Sequence, residues 1–231
     1  MMRRGQRQVH ALERPSRAEP RTRDYDRKRV LEKASQARRR GKRKKAIELY
    51  RKVLEDETEN VDLHRRLGVL HAEIRRREEA LSHFGHAVRG LAARGFPDKA
   101  VGLCREAVGF YPTEANVWEA IADLQLARER RADAYDALIE GRGHMRGRKQ
   151  RNGAIRLLRR ACVIEPGRVD LQIDLSNQLA RARQRVEARA ILDRLVGTTR
   201  GRDRRRALAA RLRIAPTPMG FIRWMGAAFG R

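Results

Sequence analysis

The sequence predicts an all-α fold: a right-handed α-solenoid of helical hairpins, some with fused long helices, forming one elongated domain. Three observations predict it. Apolar residues make up 41% of the 231 residues but aromatics only 5%, so the core falls to Leu, Ala, Val and Ile. Ala, Leu, Arg and Glu favour helices, whereas strands favour β-branched and aromatic residues. Next, "KAIELYRKVLEDET" from Lys45, "KAVGLCREAVGFYP" from Lys99 and "GAIRLLRRACVIEP" from Gly153 recur every 54 residues. Last, Ala46, Ala80, Ala100, Ala134, Ala154 and Ala188 follow one another at alternating steps of 34 and 20, a self-similarity that marks a repeat architecture.

Taken in order, residues 1–23 are rich in Arg, contain Pro and carry few apolar groups, which predicts a basic, disordered tail. Residues 24–200 hold the repeats. Leu67-Gly68 is followed by Ala80, Phe84 and Ala87. Trp118, Ile121 and Ala122 precede Ala134 and Leu138, Leu175-Ser176 precedes Ala188, and Pro112 and Pro166 close units. These residues, with the 34-residue step, resemble the tetratricopeptide repeat (TPR) family over about Arg27 to Val196. That family pairs a helix carrying W-x-x-L-G with one carrying A-x-x-x-F and then often Pro. The small residues sit where two antiparallel helices approach most closely, and the large residue one turn on fills the groove beside them.

The 20-residue step departs from the family pattern. It implies that the second helix of one repeat runs on to serve as the first of the next. Long helices are expected at about Glu78–Arg94 and Ala132–Arg148, each about 25 Å at 1.5 Å per residue, with Gly90, Gly141, Gly143 and Gly147 as potential breaks. Helix starts are signalled at Pro97-Asp98, Pro112-Thr113 and Asn152, giving roughly ten or eleven helices.

Residues 201–231 divide in two. Gly201 to Ile214 read as a basic capping helix. The final "APTPMGFIRWMGAAFGR" gathers Phe221, Trp224, Met225 and Phe229 near one helical face. Packing on the last repeat, which a solenoid end requires, is favoured over docking of a partner helix or contact with an anionic membrane through Arg223 and Arg231.

Lys and Arg number 55 against 29 Asp and Glu, a formal net charge of +26 and a pI near 11.5. Such an excess attracts polyanions, although a bias of Arg over Lys also follows from a GC-rich genome. Arg38, Arg39, Arg40, Lys42, Arg43, Lys44 and Lys45 crowd one turn. Arg142, Arg146, Arg148, Lys149 and Arg151 crowd the equivalent turn two units on, and Arg202, Arg204, Arg205 and Arg206 follow in the capping segment. The first two clusters are expected on one edge of the solenoid. No aromatics are interleaved, so nucleic acid or a ribosome would be held by its backbone, with steep salt dependence.

The resemblance implies a partner-binding groove lined by the first helix of each pair. Its positions hold Asp62, Arg65, Arg66 and Val69, then Asn116, Glu119 and Asp123, then Asp170, Ile173, Asp174 and Asn177. The Lys/Asn/Lys/Arg set with which some TPR domains clamp a terminal carboxylate is absent, Asn177 alone matching in kind. Glu119, Asp123, Asp170 and Asp174 instead form an acidic lining, and like charges at i, i+4 cost a few tenths of a kcal/mol each. A basic or extended protein segment, or this chain's own N-terminal tail, is the occupant expected there; the other reading is ordinary solubilising carboxylates.

No GxSxG, HExxH, GxxxxGK[ST] or GxGxxG motif occurs, so neither an enzyme nor a cofactor is expected. Cys104 and Cys162 are far apart and outside any CxxC pair, which fits a reducing compartment. His64 and His71 share a helix face, and His83 and His86 follow on the next helix. They are read as structural groups that point differently, with no metal bound. The start of the chain lacks an apolar leader core and no apolar run reaches about 18 residues, so a cytoplasmic location is expected. The expectation is a non-enzymatic scaffold or adaptor for protein partners, the alternative an RNA- or ribosome-associated protein docking by its cationic edge.

Overall fold

The computed structural model describes residues 19–214, 216 and 218–229. Twelve helices follow one another, and no strand occurs among the described residues: α1 (Glu19–Arg39), α2 (Arg43–Asp56), α3 (Val61–Glu73), α4 (Arg77–Ala93), α5 (Pro97–Phe110), α6 (Ala115–Leu126), α7 (Arg131–His144), α8 (Arg151–Ile164), α9 (Val169–Arg181), α10 (Arg185–Thr198), α11 (Gly201–Ile214) and α12 (Pro218–Phe229). Residues 19–23 of the expected tail are thus helical, and residues 1–18 lie outside the described residues.

Helix starts recur every 54 residues: α2, α5 and α8 at 43, 97 and 151; α3, α6 and α9 at 61, 115 and 169; α4, α7 and α10 at 77, 131 and 185. The unit is therefore three helices, not two. Consecutive helices joined by short turns pack as hairpins, and α3 also touches α5, α6 touches α8 and α9 touches α11. The shared helices expected from the 20-residue step are α4 and α7, each packed between the helices on either side. α4 has 17 residues and runs through Gly90, close to its expected span. α7, however, stops at His144 and with 14 residues is no longer than its neighbours, so neither helix is fused to the next. Gly95 at φ 76° and Pro97 at the first helical position separate α4 from α5.

Local rules set the ends. Asn60 caps α3 by accepting from Leu63 N at 3.1 Å. Five turns close through a left-handed residue: Gly41 and Gly95, and non-glycine Arg75, Glu129 and Arg183, themselves 54 apart. After each, the next amide reaches a carbonyl five residues back, as in Arg76 N to His71 O at 2.9 Å, which satisfies a helix-end acceptor.

The core is a chain of local clusters rather than one centre. One joins α1, α2 and α3 around Tyr50 and Leu67, one joins α3, α4 and α5 around Phe84, one runs from α5 to α10 around Trp118, and one joins α10 and α11. Ala46, Ala80, Ala100, Ala134, Ala154 and Ala188 are all 0% exposed, as close helix approach requires. A Cβ on Gly68 would stand 3.0 Å from the Phe84 ring, and one on Gly141 only 2.4 Å from Trp118 Cγ.

Candidate functional site

The groove positions lie on α3, α6 and α9. Asp62, Arg65, Arg66, Asn116 and Asp123 are exposed, whereas Val69, Glu119, Asp170, Asp174 and Asn177 are half-buried. The acidic lining has cationic partners within the chain. Arg156 of α8 pairs with Glu119 and reaches Asn116 Oδ1 at 2.6 Å. Arg160 pairs with Asp123, Arg142 forms a two-bond fork on Asp174 at 3.0 Å for each bond, and Arg168 holds Asp170 at 3.2 Å. The Arg168 hydrogen bond keeps the Asp170 carboxyl below its ordinary range. This chain's own arginines thus neutralise the lining: α8 lies against α6 and supplies the partners of Glu119 and Asp123, Arg142 of α7 serves Asp174, and Arg168 just before α9 serves Asp170. Arg156–Glu119 and Arg160–Asp123 each span 37 residues, as does Arg77 with Glu114, while Arg142–Asp174 spans 32 and Arg65–Glu106 spans 41.

What remains open is the opposite end of the solenoid. A groove of about 770 Å³ between α1 and α3 is lined by five cations, Arg27, Arg29, Lys33, Arg39 and Arg66, by two acids, Glu32 and Asp62, and by Leu31 and Leu63. Arg66 is steadied by Tyr50, whose ring lies 5.7 Å from the guanidinium carbon and whose hydroxyl accepts a bond at 3.3 Å. Arg29, Lys33 and Arg39 have no acidic partner among the described residues.

In the basic clusters, Arg43 pairs with Glu73, Arg142 with Asp174, Arg146 donates to Gly143 O and Arg151 to Arg181 O. Arg38, Arg39, Arg40, Lys42, Lys44, Lys45, Arg148 and Lys149 are exposed and have no such partner among the described residues. At the other end, α12 packs along α11, yet Met219, Phe221, Ile222 and Met225 stay exposed. Trp224 is half-buried 6.1 Å from the Phe221 ring, and the Phe229 side chain lies outside the described residues. The expected packing of this segment is therefore partial.

The histidines depart most from expectation. Instead of pointing apart, His64, His71, His83 and His86 meet in one seam between α3 and α4: His64 Nδ1 is 3.0 Å from His83 Nδ1, the His86 ring stacks on His64 at 4.8 Å, and the His71 ring lies 5.3 Å from that of His83. Burial and the adjacent imidazoles push His83 down to about 4, so it is neutral at pH 7. No described helix is long and apolar enough to cross a membrane.

No family model and no curated protein matches the chain. Solved structures similar to it include pilF of Pseudomonas aeruginosa (17% identity, 89% of this chain and 90% of that one, TM-score 0.28). A tetratricopeptide repeat protein from Parabacteroides merdae is 12% identical over 89% and 94%, with a TM-score of 0.28. A putative protein-binding protein from Bacteroides ovatus is 16% identical over 87% and 96%, with a TM-score of 0.36. The chain resembles tetratricopeptide repeat proteins through its own residues: the 34-residue steps, and the buried alanines where its hairpins meet.

Proposed function

We propose that the chain is a non-enzymatic scaffold that holds an extended protein segment in the groove between α1 and α3. The observation that supports this most is the contrast in pairing. The acids on α6 and α9 are matched internally, whereas Arg29, Lys33 and Arg39 line a groove in which five cations outnumber the two acids Glu32 and Asp62, beside Leu31 and Leu63. An excess of cations beside apolar side chains suits an extended segment carrying carboxylates and one or two apolar side chains. Helices set the lining before the partner arrives, so little ordering entropy is lost on binding. The test is nuclease-treated affinity capture with the native chain and an Arg29→Glu/Lys33→Glu variant, analysed by mass spectrometry. A partner captured by the first and lost by the second supports the groove; equal capture by both sinks it.

A second reading rests on a separate observation, the unpaired cations Lys42, Lys44, Lys45, Arg148 and Lys149 at two turns two units apart. They suit a polyanion held by its phosphates, and salt separates the two readings. Polyanion affinity falls steeply as salt rises, because counterions are released on binding, while a groove-bound peptide weakens only modestly. Lys42→Glu/Lys44→Glu/Lys45→Glu lowers RNA affinity and flattens the salt slope on this reading; an unchanged slope removes it.

A further inference from the structure

Four of the chain's six histidines occupy the α3–α4 seam, and the repeat itself shows that packing does not ask for them. His64, Trp118 and Gln172 are equivalent, 54 residues apart. Each bonds the carbonyl six residues earlier: Thr58 O at 2.8 Å, Pro112 O at 2.9 Å and Pro166 O at 2.7 Å. That bond belongs to the fold. Where the donor is histidine it has a chemical consequence: a carbonyl only accepts, so His64 Nε2 carries a hydrogen, which leaves Nδ1 as the nitrogen whose lone pair can face His83. The position of His83 holds Ala137 and Ile191 in the other units, that of His71 holds Gln125 and Leu179, and that of His86 holds Glu140 and Arg194.

His71 is 3% exposed, and its Nδ1 has no hydrogen-bond partner among the described residues, a cost a native fold avoids unless the atom has another partner. All four rings line a groove of about 780 Å³, together with Glu55, Glu59, Glu78, Glu79, Arg51 and Arg76. The groove is open to solvent, and its four carboxylates outnumber its two cations.

We propose that this seam binds one divalent ion of the zinc, nickel or copper class, chelated by His64 Nδ1 and His83 Nδ1 with His71 as third ligand. Two imidazole nitrogens on a tetrahedral ion, at about 2.0–2.1 Å each, stand about 3.3–3.4 Å apart, so the 3.0 Å pair needs to open by only a few tenths of an ångström. No three donors already converge on one point among the described residues; His71 completes the set by rotating its ring. His64 is oriented by the Thr58 carbonyl in the way outer groups orient metal-bound imidazoles. As the ion enters, the His83 proton moves from Nδ1 to Nε2 by exchange with water, leaving the ring neutral and its Nδ1 lone pair on the metal.

The full-length chain, stripped with chelator and dialysed, is titrated with Zn²⁺ alone and with Mg²⁺ as control, and the loaded protein is examined by X-ray absorption. One Zn²⁺ per chain at about micromolar affinity or tighter, with at least two imidazoles in the absorption spectrum, is the expected result. His64→Gln and His83→Ala copy what the sibling units carry, so both retain the helical circular dichroism. Each weakens Zn²⁺ binding by about tenfold or more. No binding above that of Mg²⁺, an oxygen-only coordination shell, or uptake unchanged in the double variant overturns the proposal.

Discussion

Gly141 shows how one residue's size is fixed by another's. Trp118 fills the space that a Cβ at 141 would enter, 2.4 Å from its Cγ. The sibling positions hold His64 with Ala87 and Gln172 with Leu195, so the smallest residue accompanies the largest. Gly141→Ala gains up to about 1 kcal/mol of helix propensity but loses about 1–3 kcal/mol to overpacking. Net destabilisation is expected in urea melts, and it shrinks in a Trp118→Gln background, giving a coupling above about 0.5 kcal/mol; additive effects would refute the size trade. The two thiols provide another residue-scale test. Burial pushes Cys104 up to about 12, and burial together with Asp170 and Asp174 pushes Cys162 up to about 11. Both stay protonated at pH 8 and unreactive, because the thiolate is the nucleophile. A disulfide reagent should label neither appreciably in the native chain and both rapidly in denaturant. At this scale the sequence was legible where size decided, as at the six buried alanines. It was not where rotamers decided: the histidine spacings place two rings on each helix, but only the register of the α3–α4 hairpin brings His64 Nδ1 to His83 Nδ1.

Among the elements, the left-handed closures at Arg75, Glu129 and Arg183 carry a strain that Gly41 and Gly95 avoid. A side chain there costs about 1–2 kcal/mol, and glycine's extra unfolded freedom returns about 0.5–1 kcal/mol of that. Arg75→Gly, Glu129→Gly and Arg183→Gly should therefore each stabilise by about 0.5–1 kcal/mol, read as a higher urea midpoint at constant slope; a lower midpoint at all three would show that the side chains make compensating contacts. Helix boundaries were largely readable, because Pro97 and the 54-residue recurrence punctuate the chain, and α11 covers Gly201–Ile214 as expected. The pairing of helices two apart was not. Composition declares an excess of arginine, but only the α6–α8 contact reveals that Arg156 and Arg160 are committed to Glu119 and Asp123. Each such surface pair contributes about 0–1 kcal/mol; their larger effect is to decide which charges are left for a partner.

For the whole molecule, stability is a sum over near neighbours, since each core cluster joins a run of consecutive helices and the packed pairs lie one or two helices apart in the chain. Deleting residues 61–114, one unit of 54, joins Asn60 to Ala115 and leaves 231 − 54 = 177 residues. The shortened chain should stay helical and melt cooperatively at a lower temperature by circular dichroism; a molten product would show that the units are not interchangeable. The deletion spares both basic turns, near residues 38–45 and 142–151. An odd number of antiparallel helices per unit means that equivalent turns one unit apart face opposite sides of the array, and turns two units apart face the same side. The array has a parity. A partner that grips both basic turns counts units modulo two: gaining or losing one unit turns one grip away from it, and gaining or losing two restores it.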